Sequence, residues 1–200
     1  MHISEGILSA PVLITGAGLT ATAVGYSLKK MEHKEVPKVA ILSSVFFVAS
    51  LIHVPLGPSS VHLILNGIMG ALLGWTAFPA ILVALALQGV LFQFGGVTTL
   101  GINTLNMALP AIICFYLFSK GIRSENNLIA LILAFACGFL AVMLSAIMVA
   151  AALVFTGEPF IQVAKLVLIA HSPVMILEGV LTAFCIGFLG KVRPEILDTQ

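Results

Sequence analysis

The sequence predicts an all-α, polytopic membrane protein of about seven transmembrane helices, forming one integral-membrane domain over residues 1–200. Three observations carry this expectation. Of 200 residues, 60% are hydrophobic and only nine Lys/Arg and eight Asp/Glu carry formal charge. A soluble domain has roughly a quarter charged residues and under half apolar ones. At 8% charged and a mean hydropathy of +1.17, this chain has too few polar groups to cover a globular surface. Third, charge is missing from residues 39–119, a run of 81 positions, and again from Asn126 to Gly157. A bilayer span needs about 20 apolar residues, so the first gap holds several spans joined by short uncharged turns. Soluble enzymes, nucleic-acid binders, disordered linkers and secreted disulfide scaffolds are excluded on these grounds. No run of alternating polarity points to a β-barrel.

Gly, Pro, Asn and charge punctuate the chain into its elements. Helix 1 is expected at about 7–28, an apolar run stopped by Lys29 and Lys30. Helix 2 is expected at 38–54, before the Pro55–Pro58 turn, and helix 3 at 60–76, with Ser59 and Ser60 as candidate N-cap residues. Helices 4 and 5 fall at 78–94 and 103–119, the latter ended by Lys120. Helices 6 and 7 fall at 127–155 and 164–190, separated by the Gly157-Glu158-Pro159 break. Cys114, Cys137 and Cys185 all lie inside apolar runs, with neither a disulfide framework nor metal-ligand spacing.

Basic residues orient the spans. Lys29, Lys30, Lys34 and Lys38 follow helix 1, Lys120 and Arg123 follow helix 5, and Lys191 and Arg193 follow helix 7. With seven spans these eight of nine basic residues share one side, which is therefore the cytoplasmic one. The N-terminus then lies outside and the C-terminus in the cytoplasm. No basic residue precedes position 29, so the first helix reads as retained and not as a cleaved signal peptide.

Polar residues collect on the outer face: the Met1-His2-Ile3-Ser4-Glu5-Gly6 terminus, the His53–His62 turn and the 94–106 turn. The terminus carries specific chemistry. A free α-amine followed by His at position 2 offers three nitrogens to a metal: the Met1 amine, the deprotonated His2 amide and a His2 ring nitrogen. Amine and amide close a five-membered chelate, and amide and imidazole a six-membered one. The three lie in one plane with a fourth corner open, an arrangement suited to Ni(II) and Cu(II) that can also hold Co(II). Oxygen-seeking Mg²⁺ and Ca²⁺ are disfavoured. A neutral imidazole from His62 or His53 fills the fourth corner. Read on its own, His62 equally suits a polar pair with Asn66 at the start of helix 3, and His2 an exposed terminal residue.

The terminus MHISEGIL, with VPLGPSSVHLILNG at 54–67, QFGGVTTLGINTLNMALPA at 93–111 and HSPVMILEGVLTAF at 171–184, resembles the CbiM/NikM family. These proteins are substrate-specific membrane components of energy-coupling-factor, ABC-type cobalt and nickel transporters. The likeness extends over most of the chain. It implies a capture subunit, not an enzyme, that binds Co²⁺ or Ni²⁺ as transported ligand outside a bacterial or archaeal cell membrane, with no covalent cofactor and no nucleic-acid partner. It also implies a transmembrane coupling subunit and ATPase subunits as partners, with a small accessory membrane subunit in some systems. No Walker-type phosphate loop is present in this chain. The family pattern assigns the metal ligands to Met1, His2 and His62. His53 departs from the cleanest form of that pattern and stands as a neighbour of the ion or a rival for the fourth corner. A large second residue such as His2 favours retention of Met1.

Other residues are candidates around the ion. Glu5 balances the cation, holds the terminal amine, or serves as a first-turn carboxylate. Asn103 and Asn106, with Thr98 and Thr99, either orient His2 and His62 or satisfy a turn. Asn66 and His171 are further candidates. Glu178, a carboxylate deep in an apolar run, reads as a partner for another helix or subunit. Ala17, Ala21 and Gly25, with Gly18 beside them, form a small-residue stripe for close helix packing or for docking. A stand-alone metal channel is the rival function; the long uncharged gap speaks against a wide aqueous path.

Overall fold

The computed structural model describes residues 2–51, 53–56 and 59–198, with the backbone alone for 53–56, 59–61 and 198. Its elements in chain order are α1 (Ala10–Lys30), α2 (Val36–Ala49), β1 (His53–Leu56), β2 (Ser59–His62), α3 (Asn66–Leu73), α4 (Ala77–Phe92), α5 (Leu100–Ile122), α6 (Asn127–Thr156), α7 (Ile161–Val192) and α8 (Glu195–Asp198). The protein is a helical, polytopic membrane protein. Among the described residues, five stretches are long and apolar enough to cross a bilayer: Ala10–Lys30, Asn66–Phe92, Leu100–Ile122, Asn127–Thr156 and Glu158–Val192.

Two expected helices are corrected. Helix 2 stops at Ala49, and helix 3 does not begin at 60. Residues 53–62 instead form an antiparallel hairpin that pairs His53 with His62. Ser59 and Ser60 are therefore strand residues, several positions ahead of the first residue of α3. At 14 and eight residues, α2 and α3 are about 21 Å and 12 Å long, short of the roughly 30 Å hydrocarbon layer.

The 27-residue run Asn66–Phe92 is not one straight rod. The chain reverses at Gly74 (φ 51°, ψ −125°), a conformation that favours glycine. Side-chain bonds trace the reversal. Asn66, at the head of α3, donates to the carbonyls of Met107 (3.3 Å) and Ala141 (3.3 Å) and to Ser145 Oγ (2.8 Å). At the far end the Trp75 carbonyl accepts from Ser27 Oγ (2.9 Å), and its indole N–H donates to the Tyr116 hydroxyl (2.8 Å). Then α4 climbs beside α2, its Ala80 carbonyl accepting from Ser43 Oγ (2.7 Å), until Gln88 meets Ser50 and His2.

All eight residues of α3 are buried. Glycines allow its close approach to the surrounding helices. A Cβ on Gly67 would lie 2.6 Å from Gly138 Cα, and one on Gly70 2.2 Å from the Ala111 carbonyl oxygen. Around this axis Phe46, Phe78, Met69, Ile81, Met107 and Leu153 fill the core. Large apolar side chains such as Ile14, Val90, Phe155 and Phe184 point outward, at 70–79% exposure. That is the reverse of a soluble protein and fits a lipid-facing surface. The small residues of α1 divide: Gly16 and Ala17 lie against Ile102 and Gly101 of α5, while Gly18 and Gly25 meet nothing within 4 Å.

Candidate metal centre

The N-terminal segment is tucked under the 93–99 loop. Asn103 holds it by the main chain: its Oδ1 accepts from Ile3 N–H (3.0 Å) and its Nδ2 donates to the Ile3 carbonyl (3.1 Å) and to Thr99 Oγ1 (3.2 Å). One side chain thus fixes both polar groups of the residue following His2. Glu5 Oε1 accepts from Thr98 N–H at 3.0 Å, and Gly96 packs so tightly against Glu5 that a Cβ there would lie 1.8 Å from Cγ. Gly95, in the left-handed region at φ +79°, leaves room beside the His2 ring and Asn103; a Cβ would meet His2 Cβ and Cδ2 at 3.6 Å.

This packing buries His2 against His62, with ring centroids 4.6 Å apart and planes inclined by 32°. Both residues are nearly inaccessible, at 4% and 3%. Two distant pieces of sequence, the terminus and the hairpin's second strand, therefore meet at one end of the bundle. Phe94 lies 6.2 Å from His2, centroid to centroid, on the loop side.

The proton positions follow from the bonds. His62 Nδ1–H donates to the Leu63 carbonyl at 2.6 Å, so its Nε2 is a bare lone pair. That Nε2 is buried with no hydrogen-bond partner among the described residues. Burial holds the His62 pKa well below its ordinary value, and the neighbouring His2 pushes the same way, so the imidazole is neutral. A neutral, dry nitrogen lone pair without a partner is costly unless something electrophilic is to be placed on it. His2 Nε2 lies 2.7 Å from Gln88 Oε1, and Gln88 Nε2 donates to Ser50 Oγ.

The remaining expected residues fall as follows. Met1 lies outside the described residues, as does the His53 side chain, although the His53 backbone pairs with His62 across the hairpin. Asn66 does not cap a helix with His62; it points into the bundle toward α5 and α6. Thr98 contributes its backbone N–H, and Asn106 is buried one turn below Asn103. His171, fully buried, donates Nδ1–H to the Val167 carbonyl (2.7 Å), leaving its Nε2 without a partner among the described residues. Glu178 Oε1 accepts from the backbone N–H groups of Ile64 and Leu65, the latter at 2.8 Å. It thereby clamps the stretch between His62 and α3, where Leu65 takes a left-handed conformation (φ 53°).

No group of three or more His, Cys, Asp or Glu side chains able to hold a metal occurs among the described residues. A metal bound at His2 and His62 would draw its other donors from the main chain. Gln88 and Ser50 escaped the sequence reading. A lone amide inside an otherwise apolar, uncharged helix was the available signal for Gln88.

The chain as a whole is similar to known metal transport proteins. Residues 2–196 match the family model CbiM, described as the cobalt uptake substrate-specific transmembrane region. The "Putative metal transport protein" of Haemophilus influenzae is 39% identical over 200 residues, spanning 99% of this chain and 97% of that protein. The "Putative fused nickel transport protein NikMN" of Archaeoglobus fulgidus is 27% identical over 207 residues, spanning 100% of this chain and 69% of that protein. Among solved structures, a truncated transition metal transporter superposes with a TM-score of 0.74 at 25% identity, covering 96% of this chain and 99% of that one.

Proposed function

This chain belongs to the CbiM family and is a cobalt/nickel uptake membrane component, and we propose that it is the ion-capturing subunit of an ATP-driven uptake system. The ion binds at the end of the bundle where His2 meets His62, through four nitrogens. These are the Met1 amine, the His2 amide, His2 Nδ1 and His62 Nε2. Ring size selects Nδ1, since only that nitrogen closes a six-membered chelate with the residue's own amide. The observation that carries the reading is the buried Nε2 lone pair of His62, without a partner among the described residues, on a ring whose centroid lies 4.6 Å from that of His2.

The bonds of Ser9 to Thr156 at one end of the bundle, and of Ser27 to Trp75 and Lys38 to Ile196 at the other, fit helices that alternate in direction, which supports seven crossings with α2 and α3 short. Eight of the nine basic residues, all but Lys165, then lie at the end opposite the histidines. Since that end is cytoplasmic, the ion is captured outside the cell membrane. Energy comes from ATPase partners through a transmembrane coupling subunit.

The test is metal binding by the full chain, tagged only at its C-terminus, in detergent or nanodiscs. The native chain is expected to take up about one Ni²⁺ or Co²⁺. One extra residue before Met1, which turns the amine into an amide, is expected to abolish tight binding, as is His62→Ala. Unchanged affinity in the extended chain would sink the assignment.

A further inference from the structure

We propose that Gln88 is a positioning residue that locks the His2 ring in the tautomer able to chelate, through a hydrogen-bond relay running from the Phe47 carbonyl to the ring. The proposal rests on the site described above and adds to it a residue that never touches the ion.

The relay can be followed atom by atom. Ser50 Oγ lies 2.9 Å from the Phe47 carbonyl, and a carbonyl can only accept, so the single Ser50 hydroxyl proton is committed there. Toward Gln88, Ser50 therefore offers a lone pair. The Gln88 group facing it must be the NH₂, which fixes the orientation of an amide whose two ends are otherwise hard to tell apart. With the NH₂ turned to Ser50, the Gln88 oxygen faces His2 at 2.7 Å. An amide oxygen cannot donate, so His2 Nε2 must carry the proton. In a neutral imidazole the lone pair then belongs to Nδ1, the nitrogen the six-membered chelate uses.

His62 is set the opposite way, with its proton on Nδ1 and its lone pair on Nε2. The two rings thus carry opposite tautomers, each fixed by an acceptor oxygen behind it. Ser50, Gln88 and both histidines are buried at 4% exposure or less, so water does not compete for these bonds. The relay also raises the basicity of the ligating nitrogen, as an acceptor behind a metal-bound imidazole does.

Three variants of the full chain test this. Gln88→Met keeps length and volume but removes the acceptor. Gln88→Glu keeps an acceptor oxygen for His2 and, with its carboxyl protonated, a donor for Ser50. Ser50→Ala frees the amide to turn and stands in where Gln88→Met fails to fold. Two quantities are read: the His2 tautomer by ¹⁵N NMR of the metal-free protein, and Ni²⁺ affinity by competition with a chelator. The native protein and Gln88→Glu are expected to hold the single Nε2–H tautomer. Gln88→Met is expected to give a mixture and to lose about 10–100-fold in affinity, with Ser50→Ala moving both readouts the same way by less. A single Nε2–H tautomer in Gln88→Met, or affinity within twofold of native, would overturn the proposal. So would loss of affinity in Gln88→Glu equal to that in Gln88→Met. Because the tautomer is read without metal, failure of the relay is distinguishable from failure of the metal site.

Discussion

Replacing Glu178 by Ala is expected to destabilise the protein and to disorder the approach to His62. In the native chain one carboxylate oxygen satisfies two main-chain donors, Ile64 N–H and Leu65 N–H, in a region where both Ile64 and Glu178 are fully buried. Truncation orphans both. At about 1–3 kcal/mol for each buried donor left without a partner, the loss is about 2–6 kcal/mol. Leu65 offsets part of this, since a left-handed non-glycine residue costs about 1–2 kcal/mol and persists only while its neighbours hold it, so truncation lets the turn relax and disorders the approach to His62. Glu178→Gln retains an amide oxygen in the same place and is expected to keep most of the stability. Equilibrium unfolding in mixed micelles measures the difference, and Ni²⁺ titration of the folded fraction measures its effect on His62. Stability of Glu178→Ala within 0.5 kcal/mol of native, or a Gln variant as damaged as the Ala one, would refute the clamp.

Asn103→Ala removes both bonds to the Ile3 main chain and is expected to weaken Ni²⁺ binding without unfolding the bundle, read by chelator competition alongside circular dichroism. Gly67→Ala drives a methyl to within 2.6 Å of Gly138 Cα, so α3 must move about 1 Å to restore ordinary carbon–carbon contact. Overpacking of that kind costs typically about 1–3 kcal/mol, and a thermal midpoint indistinguishable from native would show that the close approach is not required. Gly18→Ala, on the open face of α1, is expected to leave the isolated subunit's stability unchanged. Its effect on uptake by the assembled transporter reports whether that face docks a partner.

Most of the helices were legible because charge marks their ends. Lys29–Lys30, Lys120 and the break at Gly157 locate α1, α5 and α6 to within a few residues. The region 50–65 was not legible. In a soluble protein, alternating polarity separates a strand from a helix. In a membrane protein the outward, lipid-facing side is apolar as well as the core, and that signal disappears. Leu65 in a left-handed turn, and α3 starting only at Asn66, depend on Glu178 more than a hundred residues away. The same holds at the site. His2 and His62 announced themselves by chemistry specific to a terminus and by a shared motif. Gln88 carries no charge and stands alone in its helix, and its meaning comes only from facing Ser50 on one side and His2 on the other.

In the proposed site, selection among divalent ions then rests on how donors are held more than on which donors they are. The loop carboxylates on the proposed outer face are Glu5 and Glu158; Glu5 Oε1 is occupied with Thr98 N–H and Glu178 Oε1 with the Ile64 and Leu65 N–H groups, so oxygen-seeking ions find little to bind. Nitrogen donors alone do not separate Ni²⁺ from Zn²⁺, since both take imidazole, and the general affinity order runs through both. Geometry separates them: Zn²⁺ prefers a tetrahedron, which needs one pair of donors rotated out of the plane of the other. Here every holding bond resists that rotation. Asn103 fixes the main chain beside His2, Gln88 fixes its ring, Leu63 fixes the ring of His62, and Glu178 fixes the backbone two and three residues beyond. None of these four contributes a ligand to the proposed set. Loosening any of them lets the donors leave the plane before it removes any donor, so discrimination against Zn²⁺ should fall before affinity for Ni²⁺ is lost.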